Sequence, residues 1–503
     1  MIQLVGRKSL LMLLARLFSA LLSFIGYYYM WRYLGKDSYG SIAFSLAFLA
    51  TINTIADLGF STAHIKRISE GKDVNQCLST FIAVRIVLIF AMVGTTLGLV
   101  LLWPVIFDKE ILAGDLNVLL ALLIYFVLYD IAGIATYTFD AKLQTAKSQL
   151  AFIVDPIIRI PIIIFVSINR MGPFEASLAY VAGGALTMLV AISLLAREGI
   201  NIGRPVLFRS YFSYALPVAL ILVVSNLMTN ADKIFLGTFW GNSEVALYNA
   251  GQTFLNILGM VGAVVATLIL PLFSQLWNEG KKTDIINKTI MMERYSMFIA
   301  LPISAVIILM PYDVARIVFG GTFRDAGSAL QFQIIVSLLN MLNVAYIYQL
   351  YAADRPSIIL KIYIIGTVVN VLLLTALVPE KVFGISMIGM SYTGAAIAML
   401  ITMGLVYFTT RIVAYRFVKV PFYIGFVKHG IAFGLSLLTL VVLSHFWTVG
   451  RWYDLAYYTL IAYGVYSLVT IIMKEIKDED INFVSQIINI KELKKYIVDE
   501  FKK

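Results

Sequence analysis

Five cations stand inside long apolar stretches of this chain: Arg16, Arg85, Arg159, Arg294 and Lys361. An ionised side chain at the centre of a membrane helix costs about 2.5 to 3.5 kcal/mol on insertion scales, so such residues face a cavity, water or a counter-charge. Each of the five lies close to the same end of its stretch, which at 1.5 Å per residue is a depth of roughly 6 to 15 Å. Arginine offers permanently charged, bidentate donors, which a desolvated phosphate or pyrophosphate needs at that depth. The layer is therefore a candidate anion site, with Arg85 and Arg294 as its leading pair.

Acidic residues share the depth. Asp57, Asp130, Asp155 and Glu293 allow structural ion pairs instead, and Arg159 lies four residues after Asp155, on one helix face. Lys361, near the end of its stretch, suits snorkelling to the interface. Asp57, Asp130 and Asp155 are also candidates for binding a proton or sodium ion that drives transport, with holding an arginine in place as the simpler role. Asn226, Asn230, Asp232 and Lys233 form a second polar group, fit either for hydrogen bonds to sugar hydroxyls or for capping a helix break beneath Gly237. Asn53, Asn340, Asn343 and Gln349 fit sugar contact or polar helix packing, the commoner use.

The elements that carry these residues follow from composition. With 60% hydrophobic and 14% charged residues over 503 positions and a mean hydropathy of +0.88, the bilayer must be the solvent for most of the chain. The fold class is all-α and polytopic, because a lipid-embedded backbone must satisfy its own hydrogen bonds. Fourteen spans are expected, near 10–31, 39–62, 79–106, 116–138, 150–168, 175–196, 211–239, 246–272, 289–310, 328–352, 357–378, 388–410, 430–448 and 453–473. An even number puts both ends on one side. The amino end and alternate loops hold about eighteen Lys and Arg, Arg411 among them; the opposite loops hold eight, namely Arg32, Lys36, Lys109, Arg170, Arg316, Arg324, Lys381 and Arg451. That bias places both termini in the cytoplasm. It also accounts for the net charge of +10 without nucleic acid.

The chain has one cysteine, Cys77, and its three histidines have no metal-ligand spacing, so neither a disulfide framework nor a metal centre is expected. No cofactor is implied. Without a GxxxxGK[ST] loop, ATP hydrolysis is not expected either.

The loop from Arg197 to Ser210 divides the chain into expected lobes at 1–203 and 204–412, with a helix pair at 413–473 and a polar tail at 474–503. Tyr33-Leu34-Gly35-Lys36-Asp37-Ser38-Tyr39-Gly40 is echoed by Phe239-Trp240-Gly241-Asn242-Ser243 with Tyr248-Asn249, and Arg85 by Arg294, at an offset near 208. Six helices between equivalents give both copies one orientation, the parallel repeat that encloses a central site between rocking lobes. In the tail, Ile481, Val484, Ile488, Ile497 and Phe501 recur at helical spacing, as in a surface helix. Pro156 and Pro161 predict a bend around Arg159. Gly94 and Gly98 predict close helix packing, and Tyr27, Tyr28, Tyr29 and Trp31 an aromatic belt.

Arg32 to Gly40, Asp57-Leu58-Gly59-Phe60-Ser61 with Lys66-Arg67, Asp232-Lys233-Ile234-Phe235-Leu236-Gly237 and Phe319-Gly320-Gly321-Thr322-Phe323 together resemble the Wzx-type polysaccharide flippases of the multidrug, oligosaccharidyl-lipid and polysaccharide exporter superfamily. The resemblance runs in order over roughly residues 5 to 470. It implies two six-helix lobes around a V-shaped cavity, two extra carboxyl-terminal helices, and alternating-access transfer of a polyprenyl-linked oligosaccharide to the outer leaflet. Glycan-assembly proteins are the partners such a function implies. The lipid II flippase branch, an ion-coupled drug exporter of the same superfamily and a membrane glycan polymerase are the alternatives. The polymerase ordinarily needs a large catalytic loop, whereas the loops here run to about 10 to 20 residues.

Overall fold

A computed structural model describes residues 17–107, 115–199 and 203–475, apart from the side chains at 217, 257–268, 270 and 271. The chain is helix after helix, with one two-stranded hairpin. The first helix covers residues 17–29 and widens into a π-helical turn at Met30–Leu34; we call it α1. There follow α2 (Lys36–Ile52), α3 (Thr54–Asp57), α4 (Phe60–Ser69), α5 (Val74–Phe107), α6 (Leu116–Ala141), α7 (Thr145–Ile168) and α8 (Pro173–Ala196). Next come α9 (Phe208–Phe239), α10 (Asn242–Asn278), α11 (Lys282–Leu309), α12 (Pro311–Phe319), α13 (Gly327–Ala352) and α14 (Pro356–Leu377). Strands β1 (Lys381–Val382) and β2 (Ile385–Ser386) pair antiparallel, and α15 (Ser391–Val418), α16 (Gly425–Phe446) and α17 (Trp452–Ile472) complete the order.

Among the described residues, twelve helices are long and apolar enough to cross a membrane. α1 and α10 occupy the two remaining expected positions. At 1.5 Å per residue, the 26 residues of α6 extend about 39 Å, sufficient for a hydrocarbon core of about 30 Å. This is a multi-pass membrane protein.

The helices sort by their neighbours. α5 to α8 pack among themselves and around α2; α9, α10, α11, α13, α14 and α15 form a second group; α16 and α17 pack on each other and on α11. The groups meet where α2 lies against α9 and α10 and α4 lies against α9. α2 is the central strut: its apolar window is 72% buried, against 22% for α5, which presents most of its length to lipid. The main core accordingly runs through Tyr39, Phe44 and Phe48 of α2, Leu119 and Leu122 of α6, Leu236 of α9 and Leu330 of α13.

Two glycines open equivalent helices. Gly35 (φ 89°) precedes α2 and Gly241 (φ 122°) precedes α10, both in backbone conformations that disfavour a side chain. They stand 206 residues apart, within the sequence echo.

Several expectations are corrected. The second span is not one helix: it breaks at Asn53 and again at Leu58 (φ 42°) and Gly59 (φ 79°). α9 is continuous from Phe208 to Phe239, so Asp232 and Lys233 cap no break; Gly237 instead lets Phe44 approach, since a Cβ there would lie 1.9 Å from the ring. Gly94 and Gly98 serve no close packing, because a Cβ on either would meet nothing within 4 Å. Trp31 is no belt residue. The π-helical turn directs it inward, fully buried, with its ring 4.8 Å from that of Phe319 and 6.1 Å from that of Tyr39. The tail residues Ile481, Val484, Ile488, Ile497 and Phe501 lie outside the described residues.

Candidate functional site

The break between α3 and α4 leaves backbone groups without helical partners, and side chains take their place. Asp57 accepts from the Ser61 amide (3.2 Å) and the Ser61 hydroxyl (2.9 Å), so its carboxylate opens α4. Arg85, from α5, reaches into the same gap. Its Nη1 donates to the Ala56 carbonyl (2.8 Å) and to Asp57 Oδ1 (2.9 Å), and its Nη2 donates to Asp130 Oδ1 of α6 (2.7 Å). The guanidinium is 2% exposed and stacks toward Tyr137 at 6.0 Å, and Asn53 donates to the same Asp130 oxygen at 3.5 Å. One cation thus ties together three spans, with two carboxylates around it.

Arg159 and Asp155 meet along α7, with Nη2 to Oδ2 at 2.9 Å, and the Arg159 guanidinium lies 4.5 Å from the Tyr180 ring of α8. Gly183 of α8 makes room for this pair: a Cβ there would stand 2.4 Å from Asp155 Oδ1.

In the second group, Asp232 is buried and accepts from the Lys233 amide at 2.8 Å. Lys233 Nζ donates to Gln252 Oε1 of α10 (2.6 Å) and to the Thr229 carbonyl (3.0 Å), and lies 3.8 Å from Asp232. Asn230 and Asn226 donate to the carbonyls of Asn226 (3.2 Å) and Leu222 (3.1 Å), bonds that stay within the turns of α9.

Glu293 and Arg411 form a pair that residue spacing did not reveal. Arg411 Nη1 donates to Glu293 Oε1 at 2.7 Å and to the Tyr407 hydroxyl at 2.9 Å, and the Tyr346 hydroxyl donates to the same Glu293 oxygen. Arg411 belongs to no loop. It sits well inside α15, over the rings of Tyr346 (5.2 Å) and Phe426 (5.3 Å). The continuing apolar positions Val413, Ala414, Phe417 and Val418 were the sequence signal that the helix runs past it.

The five-cation layer therefore resolves into different environments. Arg85 and Arg159 are charge-satisfied within the first helical group, because neutralising a buried guanidinium is cheaper than leaving it bare. The offset of 209 that matches Arg85 to Arg294 does not carry the pairing with it: in the second group the buried ion pair uses the neighbouring Glu293 with a cation from α15. Arg294 is buried in α11, 5.5 Å from the Tyr295 ring. Lys361 is exposed on α14, and Arg16 lies outside the described residues. Asp57, Asp130 and Asp155 each contact an arginine.

The two helical groups are fastened at both ends of the bundle. At the end bearing the 203–207 connection, which we call the linker end, Arg67 donates to the Ser210 carbonyl (2.7 Å), Lys72 to the Ser210 hydroxyl (2.9 Å), and the His64 ring bridges Tyr211 and Thr138 at 2.9 Å each. At the far end, Asn249 donates to Tyr39 (2.8 Å) and Arg32 to the Ile317 carbonyl. Gly40 fits so closely that a Cβ would fall 1.7 Å from the Asn242 carbonyl oxygen.

Comparison with known proteins adds an independent observation. A family model described as "Polysaccharide biosynthesis protein" matches residues 5–277, and one described as MatE matches residues 217–375. The chain is 24% identical over 398 residues, 78% of its length and 80% of the relative's, to a Haloferax volcanii protein described as "Probable low-salt glycan biosynthesis flippase Agl15". Among solved structures it is similar to the lipid II flippase MurJ in an inward closed conformation, with TM-score 0.75 and 15% identity over 93% of this chain and 99% of that one. It is also similar to a multidrug resistance MATE family transporter of the MOP superfamily in an inward-facing conformation, with TM-score 0.63 and 16% identity over 80% and 96% of the two chains.

Proposed function

Since the chain belongs to the polysaccharide biosynthesis protein family, we propose that it is a flippase that moves a polyprenyl-(pyro)phosphate-linked oligosaccharide between leaflets without altering it chemically. The observation that carries this reading is the joint between the helical groups: one central helix, α2, seats against α9 and α10 through close-fitting glycines at the far end, and its broken continuation, α4, seats separately at the linker end. Two independently made seams are what alternating access requires, since one must part while the other holds. The likeness to the flippase relative and to two transporter folds supports the same reading.

In this reading, residues 1–203 and 204–412 are the two lobes, 413–473 an added helix pair and 474–503 a tail. The linker end faces the cytoplasm, where it carries the larger share of Lys and Arg, and the membrane is the cell membrane. Arg294, Lys361 and Arg16 meet the carrier phosphate. Arg85 and Arg159, held by Asp57, Asp130 and Asp155, shape the first lobe around it. Asn226, Asn230, Asp232 and Lys233 offer polar groups to the glycan. Glycan-assembly proteins supply and receive the cargo.

The test is a leaflet-transfer assay in proteoliposomes with a fluorescent short-chain polyprenyl-pyrophosphate oligosaccharide, run beside lipid II and a cationic dye. Transfer of the first cargo, reduced at least about tenfold in Arg294→Ala at normal protein level, is the expected result. Transfer of the dye alone would place the chain among drug exporters.

A further inference from the structure

Three of the eight cations in the far-end loops converge on one hollow. A cavity of about 950 Å³ opens between α1, α11, α12 and the start of α17, and Arg32, Arg316 and Arg451 all line it. Topology does not explain them, because this is the cation-poor end of the bundle. The rest of the wall is apolar and aromatic, including Phe24 and Tyr28 of α1, Ile303 and Ile307 of α11, and Trp452 of α17. No carboxylate is among the lining residues.

The three arginines differ in what already occupies them. Arg316 is a fixed wall: its Nη2 donates to Asp313 Oδ1 (3.1 Å) and to the Val449 carbonyl (2.8 Å). Arg32 donates to the Ile317 carbonyl and lies 4.9 Å from the Tyr28 ring. Arg451 donates to the Tyr453 hydroxyl at 2.8 Å. The nearby Asp454 accepts from the backbone amides of Gly450 (2.9 Å) and Arg451 (2.8 Å). Among the described residues neither Arg32 nor Arg451 has a carboxylate in salt-bridge range, so each keeps guanidinium donors for a ligand, with the Asp454 carboxylate the nearest counter-charge to Arg451.

A chamber lined by three arginines set among aliphatic and aromatic side chains matches an amphiphile with an anionic head. Guanidinium forks suit phosphate oxygens in number and geometry, and the interfacial rings suit the first segment of a hydrocarbon chain. We propose that this hollow binds the phosphate group of a membrane lipid, Arg32 and Arg451 taking its oxygens while Arg316, paired with Asp313, forms the wall beside them. The site is separate from the residues assigned to cargo near the linker end, and the proposal does not depend on the transport reading.

Native mass spectrometry of the full-length protein in detergent tests it, with phosphatidylglycerol, polyprenyl monophosphate and diacylglycerol as probes. Both phosphate-bearing lipids remain bound and diacylglycerol does not. Arg32→Gln with Arg451→Gln lowers retention of the phosphate lipids at least about tenfold. Because Arg32 also braces α12, Arg451→Gln alone and Arg451→Lys are measured beside it, with thermal unfolding as the folding control: the first loses lipid and the second keeps it at unchanged stability. A preference for polyprenyl monophosphate identifies the carrier as the occupant, and equal retention identifies bulk phospholipid. Equal retention of diacylglycerol, or retention unchanged in well-folded Arg451→Gln, overturns the proposal.

Discussion

Asn249 of α10 donates to the hydroxyl of Tyr39 of α2 at 2.8 Å, and this bond clasps the two helical groups across the far-end seam. Tyr39 is buried among aromatic neighbours, Trp31 at 6.1 Å and Phe323 at 6.1 Å between ring centroids, so the clasp sits inside a packed apolar joint.

Gly40 sets how closely that joint shuts. Its position leaves no room for a methyl group against the Asn242 backbone, and backbone cannot be displaced by rotating a side chain. Gly40→Ala is expected to hold α2 away from α10 and favour an open far end. With Cys77 replaced by Ser and a reporter cysteine at the buried Ser45, an impermeant maleimide should label the Gly40→Ala protein several-fold faster from the far side. Equal labelling rates would show that the seam tolerates the methyl group.

Removing the guanidinium at position 85 leaves Asp57 and Asp130 facing one another without their cation. Breaking a buried ionic cluster on one side costs about 3 to 5 kcal/mol. Arg85→Ala should therefore unfold at a clearly lower temperature in detergent, and adding Asp130→Asn should recover part of the loss. If the double variant is no more stable than the single one, the two groups do not act as a unit.

Gly183→Ala pushes Asp155 away from Arg159 without touching either charge. It should match Asp155→Asn in leaflet transfer and in melting temperature. Wild-type behaviour of Gly183→Ala would mean that α8 moves aside and the pair survives.

At the linker end, Lys142 and Lys147 both donate to Glu198 and hold its carboxyl down at about 2. A folded-state value below the unfolded one contributes stability that is present above the unfolded value, near 4.5, and is lost as pH falls toward 2. Ion pairs at a solvent-accessible loop contribute little even when, as here, they are part-buried, so Glu198→Gln should lower the melting temperature at pH 7 by only roughly 1 to 3 °C. The gap should close as the pH drops from 4.5 toward 2. A gap that persists at pH 2.5 would point to packing instead of charge.

The spans were legible because lipid imposes a simple rule on composition, and each of the twelve segments from the third to the fourteenth is one helix, although the ninth starts at Lys282, not near 289, and the twelfth runs on to Val418, not to 410. The second span escaped because hydropathy does not register backbone direction: Asp57-Leu58-Gly59 is apolar enough to read as helix, yet Leu58 and Gly59 take positive φ. Depth along the membrane predicted which charges lie near one another along the normal but carried no information about azimuth. Asp155 with Arg159 was readable, being four residues apart on one helix. Arg85 with Asp57 and Asp130, and Glu293 with Arg411, depend on how separate helices rotate about their axes, which a single sequence leaves open. The far-end hollow was hidden for a related reason: Arg32, Arg316 and Arg451 are more than a hundred residues apart and looked like ordinary loop charges.

In the proposed transport cycle, the interruption of the second span provides a fulcrum. A continuous rod along α2 and α4 would tie movement at one membrane face rigidly to movement at the other. With the hydrogen-bond ladder cut at Leu58 and Gly59, the seam of α4 with α9 and the seam of α2 with α10 are carried by separate helical segments, so that in the proposed cycle one can part while the other holds. The Arg85 guanidinium, bonded to Ala56, Asp57 and Asp130 at once, anchors the end of α3 to α5 and α6, and in the proposed cycle it is the pin that keeps the two segments attached.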